Sequence, residues 1–225
     1  MSKKIIMACT ALVAFAAFIL PATASAANDP QVTEGGVLVP HPTSITGTAV
    51  ETKFTDTEGK NTLVLCSHAH MAGTLTENTN GTVEGSIPVG SAVFKGTGST
   101  STHNNLPECT GSFGNAYVTV TSALCVRSTP AMANDEFQVT GACGTEGKAL
   151  FTIGSTTVGA CKYEATGAVK GTYTTGGAQV SMTTTDTSAG SGSKLIEGGF
   201  LCPTTGALAM TFKLTTTNGE ALTVS

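Results

Sequence analysis

Six cysteines divide most of this chain into segments of regular size. They are Cys66, Cys109, Cys125, Cys143, Cys161 and Cys202. The first two and the last two bound loops of almost equal length, and the middle pair lies between those loops. Each loop opens after a run typical of a β-strand, passes through a stretch rich in glycine and threonine, and closes before another apolar run. The pattern predicts an internally duplicated β-motif, with pseudo-repeats over roughly residues 45–126 and 136–225.

These cysteines are predicted to form disulfides. An even number of cysteines in an exported protein is typical of a disulfide framework, and no pair has the C-x-x-C spacing of a metal-thiolate site. Sequence alone does not choose among the many possible pairings of six cysteines. The duplicated pattern favours three pairs, which are Cys66–Cys109, Cys125–Cys143 and Cys161–Cys202.

Residues 1–26 form a predicted secretory signal peptide. A short positive segment precedes the largely apolar run Ile5–Leu20, and Ala24–Ala26 supplies the small residues of a cleavage site. A membrane-anchor helix is the alternative, but the apolar run is short and ends in the cleavage-like sequence. Cys9 would leave with the peptide, so we expect residues 27–225 to form a secreted, extracellular β-rich domain.

The composition favours strands and argues against nucleic acid as a partner. Of the 225 residues only 12% are charged, 27 are glycine and none is tryptophan. Threonine, which fills many of the remaining positions, is β-branched and favours strands, whereas glycine weakens helix interiors. The formal net charge is −4 and no basic block is present, so no segment is suited to follow a phosphate backbone.

The pattern along the chain predicts an all-β fold. Ile45–Thr55 and Gly206–Thr215 alternate with period two, and Asn80-Gly81 and Asn218-Gly219 are signals for type I′ hairpin turns. About a dozen short strands separated by turns indicate an antiparallel β-sandwich or barrel-like fold, internally pseudo-duplicated and stapled by disulfides. A bacterial outer-membrane barrel is the runner-up, but it needs aromatic girdles, and only 5% of the residues are aromatic.

Five segments of the chain carry a family resemblance. They are GGVLVP, LVLCSHAHMAGTL, LCVRSTPAMANDEFQVTGACG, GACKYEATGAVKGTYTT and FLCPTTGALAMTFKLTTTNGEAL. These segments resemble an uncharacterised group of exported, threonine-rich, six-cysteine proteins associated with actinobacteria. The resemblance implies secretion and a disulfide-linked β-fold, and it implies no catalytic residues because no activity is known for the group. The chain departs from the group's pattern at His68 and His70, where small hydroxyl residues are expected.

His68 and His70 are the candidate metal ligands. If the strand that ends at Cys66 continues through them, both imidazoles project from one face, which is also the face of Cys66. Two imidazoles in that arrangement hold Zn or Cu when a third ligand is added, and His103 or Glu108 is a candidate for it. The alternative is a pair of surface histidines, because H-x-H is common by chance and no H-E-x-x-H motif is present.

The sequence therefore favours a secreted, non-enzymatic β-sandwich protein that binds or has a structural role at the cell surface or outside the cell. The alternative is an extracellular hydrolase or metal-binding protein that uses His68 and His70. No serine lies in a G-x-S-x-G motif, and no cofactor is predicted. The expected partner is a surface polymer or a protein, with no membrane span after removal of the signal peptide.

Overall fold

The computed structural model describes residues 29–55, 62–112, 114–132, 135–145, 147–165, 169–174, 176–177, 179–183 and 193–225. The predicted signal peptide, residues 1–26, lies outside these residues. All regular secondary structure in the described part is β-strand, as the threonine-rich, period-two sequence predicts.

The strands are numbered in chain order. The first ten are β1 (Val32–Glu34), β2 (Val37–Leu38), β3 (Thr43–Thr55), β4 (Thr62–Cys66), β5 (His68–Thr79), β6 (Thr82–Ile87), β7 (Ala92–Lys95), β8 (Thr102–His103), β9 (Leu106–Pro107) and β10 (Cys109–Gly111). The others are β11 (Gly114–Val120), β12 (Leu124–Ser128), β13 (Glu136–Thr140), β14 (Leu150–Ser155), β15 (Gly159–Ala165), β16 (Val169–Tyr173), β17 (Gln179–Thr183), β18 (Ser193–Glu197), β19 (Thr205–Thr216) and β20 (Leu222–Val224).

Fifteen of these strands form one antiparallel network, whose pairings close on themselves. One closed path, which we call the first ring, runs β3-β19-β17-β16-β13-β12-β6-β5 and returns through the β3–β5 pairing. A second closed path, the second ring, runs β3-β4-β10-β11-β14-β15-β18 and returns through β19 to β3. The two rings share the β3–β19 pair. Of the two predicted forms, the fold is therefore the barrel-like one, because ring closure removes the free edges of a sandwich.

Each ring takes four strands from the first half of the chain, counted here to the end of β12, and four from the second half, which begins at β13. The first ring takes β3, β5, β6 and β12 from the first half and β13, β16, β17 and β19 from the second. The second ring takes β3, β4, β10 and β11 from the first half and β14, β15, β18 and β19 from the second. A separate three-stranded sheet, β2-β1-β20, lies outside the network, and we call it the cap.

Three disulfides join Cys66 to Cys109, Cys125 to Cys143 and Cys161 to Cys202, the pairs that the duplicated pattern favours. The first bridges the neighbouring strands β4 and β10, and the last ties β15 to the segment that precedes β19. Three disulfides indicate an oxidising, extracytoplasmic environment. Within the described residues, no helix has the length and apolar character needed to cross a membrane.

Aromatic side chains fill the core near the second ring. The ring centroid of Phe54 lies 6.3 Å from that of Phe94 and 5.7 Å from that of Phe151. Phe151 in turn stacks on Tyr163 at 5.3 Å, and the Tyr163 hydroxyl donates a hydrogen bond to the Pro203 carbonyl at 3.1 Å. Contacts of this kind add to the free energy gained from apolar burial.

The buried hydroxyl of Tyr163 makes a testable acid–base prediction. Burial raises the pKa of Tyr163 from 10.0 to about 12, because the phenolate is poorly solvated there. The stabilising contribution is complete below pH 10 and is lost as the pH rises through the folded-state value near 12. We expect an ultraviolet titration of the folded protein to show a late tyrosinate step that Tyr163→Phe removes. Ionisation of Tyr163 in the ordinary range while the protein is still folded would contradict the prediction.

Candidate functional site

An apolar cavity of about 140 Å³ lies inside the first ring. Facing strands line it with large apolar side chains. These are Met71, Leu75, Phe137, Tyr173, Phe212 and Leu214. Ser128 also lines it, but its hydroxyl donates to the Glu136 carbonyl at 2.6 Å and is therefore already satisfied. The cavity wall is almost wholly hydrocarbon.

Glycine residues on three adjacent strands help to keep this space open. Gly47, Gly73 and Gly85 line the cavity from β3, β5 and β6. A Cβ at Gly73 would lie 2.6 Å from the Ser86 carbonyl oxygen, and a Cβ at Gly47 would lie 3.3 Å from Cδ1 of Phe212. At Gly85 the nearest atom would be 3.7 Å away, which is an ordinary van der Waals contact. Gly85 is therefore the position from which a larger side chain can enter the cavity.

The volume of the cavity limits what it can hold. Empty apolar space destabilises a fold by roughly 24 cal/mol per Å³, which is about 3 kcal/mol for a cavity of about 140 Å³. Apolar cavities of roughly 150 Å³ stay dry and admit molecules of the size of benzene or xenon. The site is thus suited to one compact apolar molecule without hydrogen-bonding groups.

The cap closes one end of the cavity. Val32 of β1 and Val224 of β20 line the cavity and are 3% and 5% exposed. Leu222 of β20 is fully buried beside Val32 in a small apolar cluster between the cap and the first ring. Backbone hydrogen bonds between Gln31 and Ser225, at 2.8 and 3.0 Å, extend the pairing of β1 with β20.

Asn78, near the end of β5, attaches the cap to the first ring. Its Oδ1 accepts a hydrogen bond from the Val32 amide at 2.9 Å, and its Nδ2 donates to the Val32 and Val39 carbonyls, both at 2.8 Å. This fully buried side chain thus fixes both ends of the segment between Val32 and Val39. Sequence analysis missed it, because a bulge between Leu75 and Glu77 changes which residues of β5 face inward.

His68 and His70 lie on the outer surface, where both are exposed. They share a face with each other, but the prediction that Cys66 lies on the same face is wrong. Cys66 is fully buried, because a bend at Ser67 separates β4 from β5 and changes the alternation. Nδ1 of His68 lies 3.5 Å from Oγ1 of Thr97, a neutral hydroxyl.

The two candidate third ligands do not complete a site with these histidines. His103 stacks on Tyr117, with ring centroids 3.5 Å apart and planes 3° from parallel. Glu108 is buried, only 6% exposed. Among the described residues, neither His68 nor His70 belongs to a group of three ligand atoms close enough to share an ion.

One cluster in the described part of the chain does bring three such atoms within 4.8 Å of one another. It consists of Glu84, Cys125 and Cys143. The two sulfur atoms are bonded to each other as a disulfide, so they are not available as thiolate ligands.

The fold and the cavity together define an all-β, disulfide-linked protein with an apolar site inside a ring of strands. Comparisons with protein-family models, with curated proteins and with solved structures find no match to this chain.

Proposed function

We propose that this chain is a secreted, non-enzymatic binding protein that encloses one compact apolar molecule within its first ring. The observation that carries the proposal is the cavity of about 140 Å³ with a hydrocarbon lining. Pockets for small molecules in proteins are usually apolar and formed before binding, and the interior of a ring of about eight strands is wide enough for one small ligand.

Two features of the chain support secretion. The predicted signal peptide, residues 1–26, is typical of exported proteins, and three disulfides are typical of proteins in oxidising compartments. The resemblance to exported six-cysteine proteins points the same way. Ligand binding outside the cytoplasm is thus consistent with a fold that is cross-linked by three disulfides.

The cavity determines the chemistry of the ligand. A charged or hydrogen-bonding group would lose its water without gaining a partner, which disfavours its transfer into the site by several kcal/mol. An apolar ligand loses little on entry and restores the van der Waals contacts that an empty cavity lacks. Small aromatic or aliphatic hydrocarbons and their halogenated relatives are the class that fits.

We expect purified protein to bind fluorobenzene with a dissociation constant on the order of 1 mM or below. Fluorine NMR should show a bound signal that grows with ligand concentration and saturates at one molecule per chain. Binding to the folded state alone should add about 1.4 kcal/mol of stability at ten times the dissociation constant, which thermal unfolding detects.

Two variants serve as the test and its control. Gly85→Leu should abolish the bound signal while the protein keeps or gains thermal stability, because the new side chain fills apolar space. Gly199→Leu is the matched control, since a Cβ there meets nothing within 4 Å and the residue is exposed on a loop. Unchanged binding by Gly85→Leu, or no saturable binding by the unmodified protein, would overturn the proposal.

A further inference from the structure

We infer that the β1–β2 segment of the cap is the entry gate of the apolar cavity and that Asn78 is the side chain that keeps this gate closed. The inference rests on the proposed function, because it concerns access to the same site. It assigns to Asn78 a positioning role: the residue acts on the ligand through the cap.

The other walls of the cavity are poor routes of entry. The sides are strands of the first ring, and β3 is paired with β19 along almost its whole length, from Ile45 opposite Thr216 to Thr55 opposite Ala207. Opening such a wall would break a long ladder of backbone hydrogen bonds, interrupted only by an irregularity between Met210 and Phe212. Toward the second ring, a smaller cavity of about 60 Å³ shares Met71, Leu124 and Val139 with this one, and the rings of Phe54 and Phe151 also line it.

The β1–β2 segment is held by much less. Strand β1 pairs with β20 over Val32–Glu34, extended by the two Gln31–Ser225 hydrogen bonds, and β2 is a two-residue edge strand paired only with β1 in the described part of the chain. The side chain of Val37 is 71% exposed and that of Leu38 is 45% exposed, so β2 itself adds little apolar burial. Segments with short ladders open locally at lower free energy than long ones, and the apolar burial of this segment is concentrated at its ends, Val32 and Val39.

Lifting this segment would uncover the cavity. Val32 covers the end of the cavity together with Val224, and it is fixed from below by the Asn78 amide. The same amide holds Val39, where β2 leads back toward the ring. When the three hydrogen bonds of Asn78 break together, both ends of the segment lose their attachment to the ring, and only the short pairing with β20 and the cap's own bonds remain. Because β20 follows directly from β19, it can stay in place while β1 and β2 move.

The first test measures the rate of fluorobenzene exchange. In Asn78→Ala all three hydrogen bonds are lost, so association and dissociation should both accelerate roughly tenfold or more. Asn78→Asp keeps the acceptor for the Val32 amide but sets a buried carboxylate against the Val32 and Val39 carbonyl oxygens, and should accelerate exchange at least as much as Asn78→Ala. The matched control is Asn115→Ala, an exposed asparagine on β11, which should exchange ligand at the unmodified rate.

The second test locks the gate. The hydroxyls of Thr33 and Thr223 lie 2.6 Å apart on paired positions of β1 and β20. An oxidised Thr33→Cys/Thr223→Cys variant should exchange fluorobenzene at least roughly tenfold more slowly than the same variant after its new bridge is broken by mild reduction. Equal rates in the locked and unlocked forms would overturn the inference, since the segment then need not move.

Hydrogen exchange separates failure of the gate from failure of the proposed function. The amides of Val32 and Val39 should exchange faster than those of the β3–β19 ladder, and faster still in Asn78→Ala. If the unmodified protein binds no fluorobenzene, the proposed function is wrong. Cap amides protected as strongly as the ladder would overturn the gate whether or not ligand binds. Accelerated ligand exchange without loss of protection at Val39, whose amide donates to the Val32 carbonyl and not to Asn78, would also contradict it.

Discussion

Replacement of Cys66 and Cys109 together by alanine should lower the free energy of unfolding by about 4 kcal/mol. The two residues are 43 positions apart in sequence, so their bond removes a large amount of conformational entropy from the unfolded chain. Both are fully buried in the core and join neighbouring strands of the second ring, so the loss of two sulfur atoms adds a cavity cost to this entropic contribution. Urea unfolding of the purified variant measures the effect.

The Cys125–Cys143 bridge is the matched comparison. It spans 18 positions, so the same substitution there should cost about 3 kcal/mol, less than the longer bridge. This bridge attaches the segment after β13 to β12, while Cys66–Cys109 fastens two strands of a closed ring. A loss below about 1 kcal/mol for the Cys66/Cys109 variant would contradict the predicted contribution.

Gly171→Ala should destabilise the protein by about 2–3 kcal/mol through overpacking. Phe137 lies opposite Gly171 on the next strand, and its ring covers the glycine. A Cβ at Gly171 would lie 2.1 Å from Cζ of Phe137 and 2.5 Å from Cε1, so the ring must move. The midpoint of urea unfolding should fall accordingly.

Gly85→Ala controls for the general effect of alanine at a strand glycine. Its Cβ would meet nothing closer than 3.7 Å, so its stability should equal or exceed that of the unmodified protein. Phe137→Leu removes the ring that collides, so Gly171→Ala should cost less in that background. Equal costs of Gly171→Ala in both backgrounds would show that the clash with Phe137 is not the cause.

Local features of this fold could be predicted from the sequence because they depend on neighbouring residues. The Asn80-Gly81 hairpin forms as predicted, with φ of 51° and 69° at the two residues and Thr79 opposite Thr82. The second turn signal is only half right. Gly219 has a φ of 86°, but Asn218 is not left-handed, and the Gly219 amide bonds to the Thr216 carbonyl. The glycine therefore follows the turn rather than forming its second central residue.

The sequence did not predict which residues of β5 face inward or which strands pair to close the two rings. Period two shows that a segment is a strand, but it does not name the strand beside it, and β3 pairs with β19 from the other end of the chain. Because of the bend at Ser67, Cys66 does not share a face with His68 and His70. A single irregular residue of this kind changes the alternation of polar and apolar residues too little to be recognised in the sequence.

The apolar cavity and its cap could not be predicted either, because they depend on residues that are far apart in the sequence. A glycine such as Gly85 reads in a sequence as a weak strand position or a bulge, and its effect on interior volume depends on what lies across the ring. Asn78 likewise looks like part of a turn until β1 is placed above it. Both residues act through partners that are distant in sequence, so their roles appear only in three dimensions.

The β3–β19 pair also determines when this protein can finish folding. Both closed paths pass through it, and it joins residues 45–55 to residues 207–216. Contacts so far apart along a chain form slowly and demand that both partners be present. Neither the first nor the second ring can close before residues 205–216 have been synthesised, although strands that precede β19 can already pair with one another.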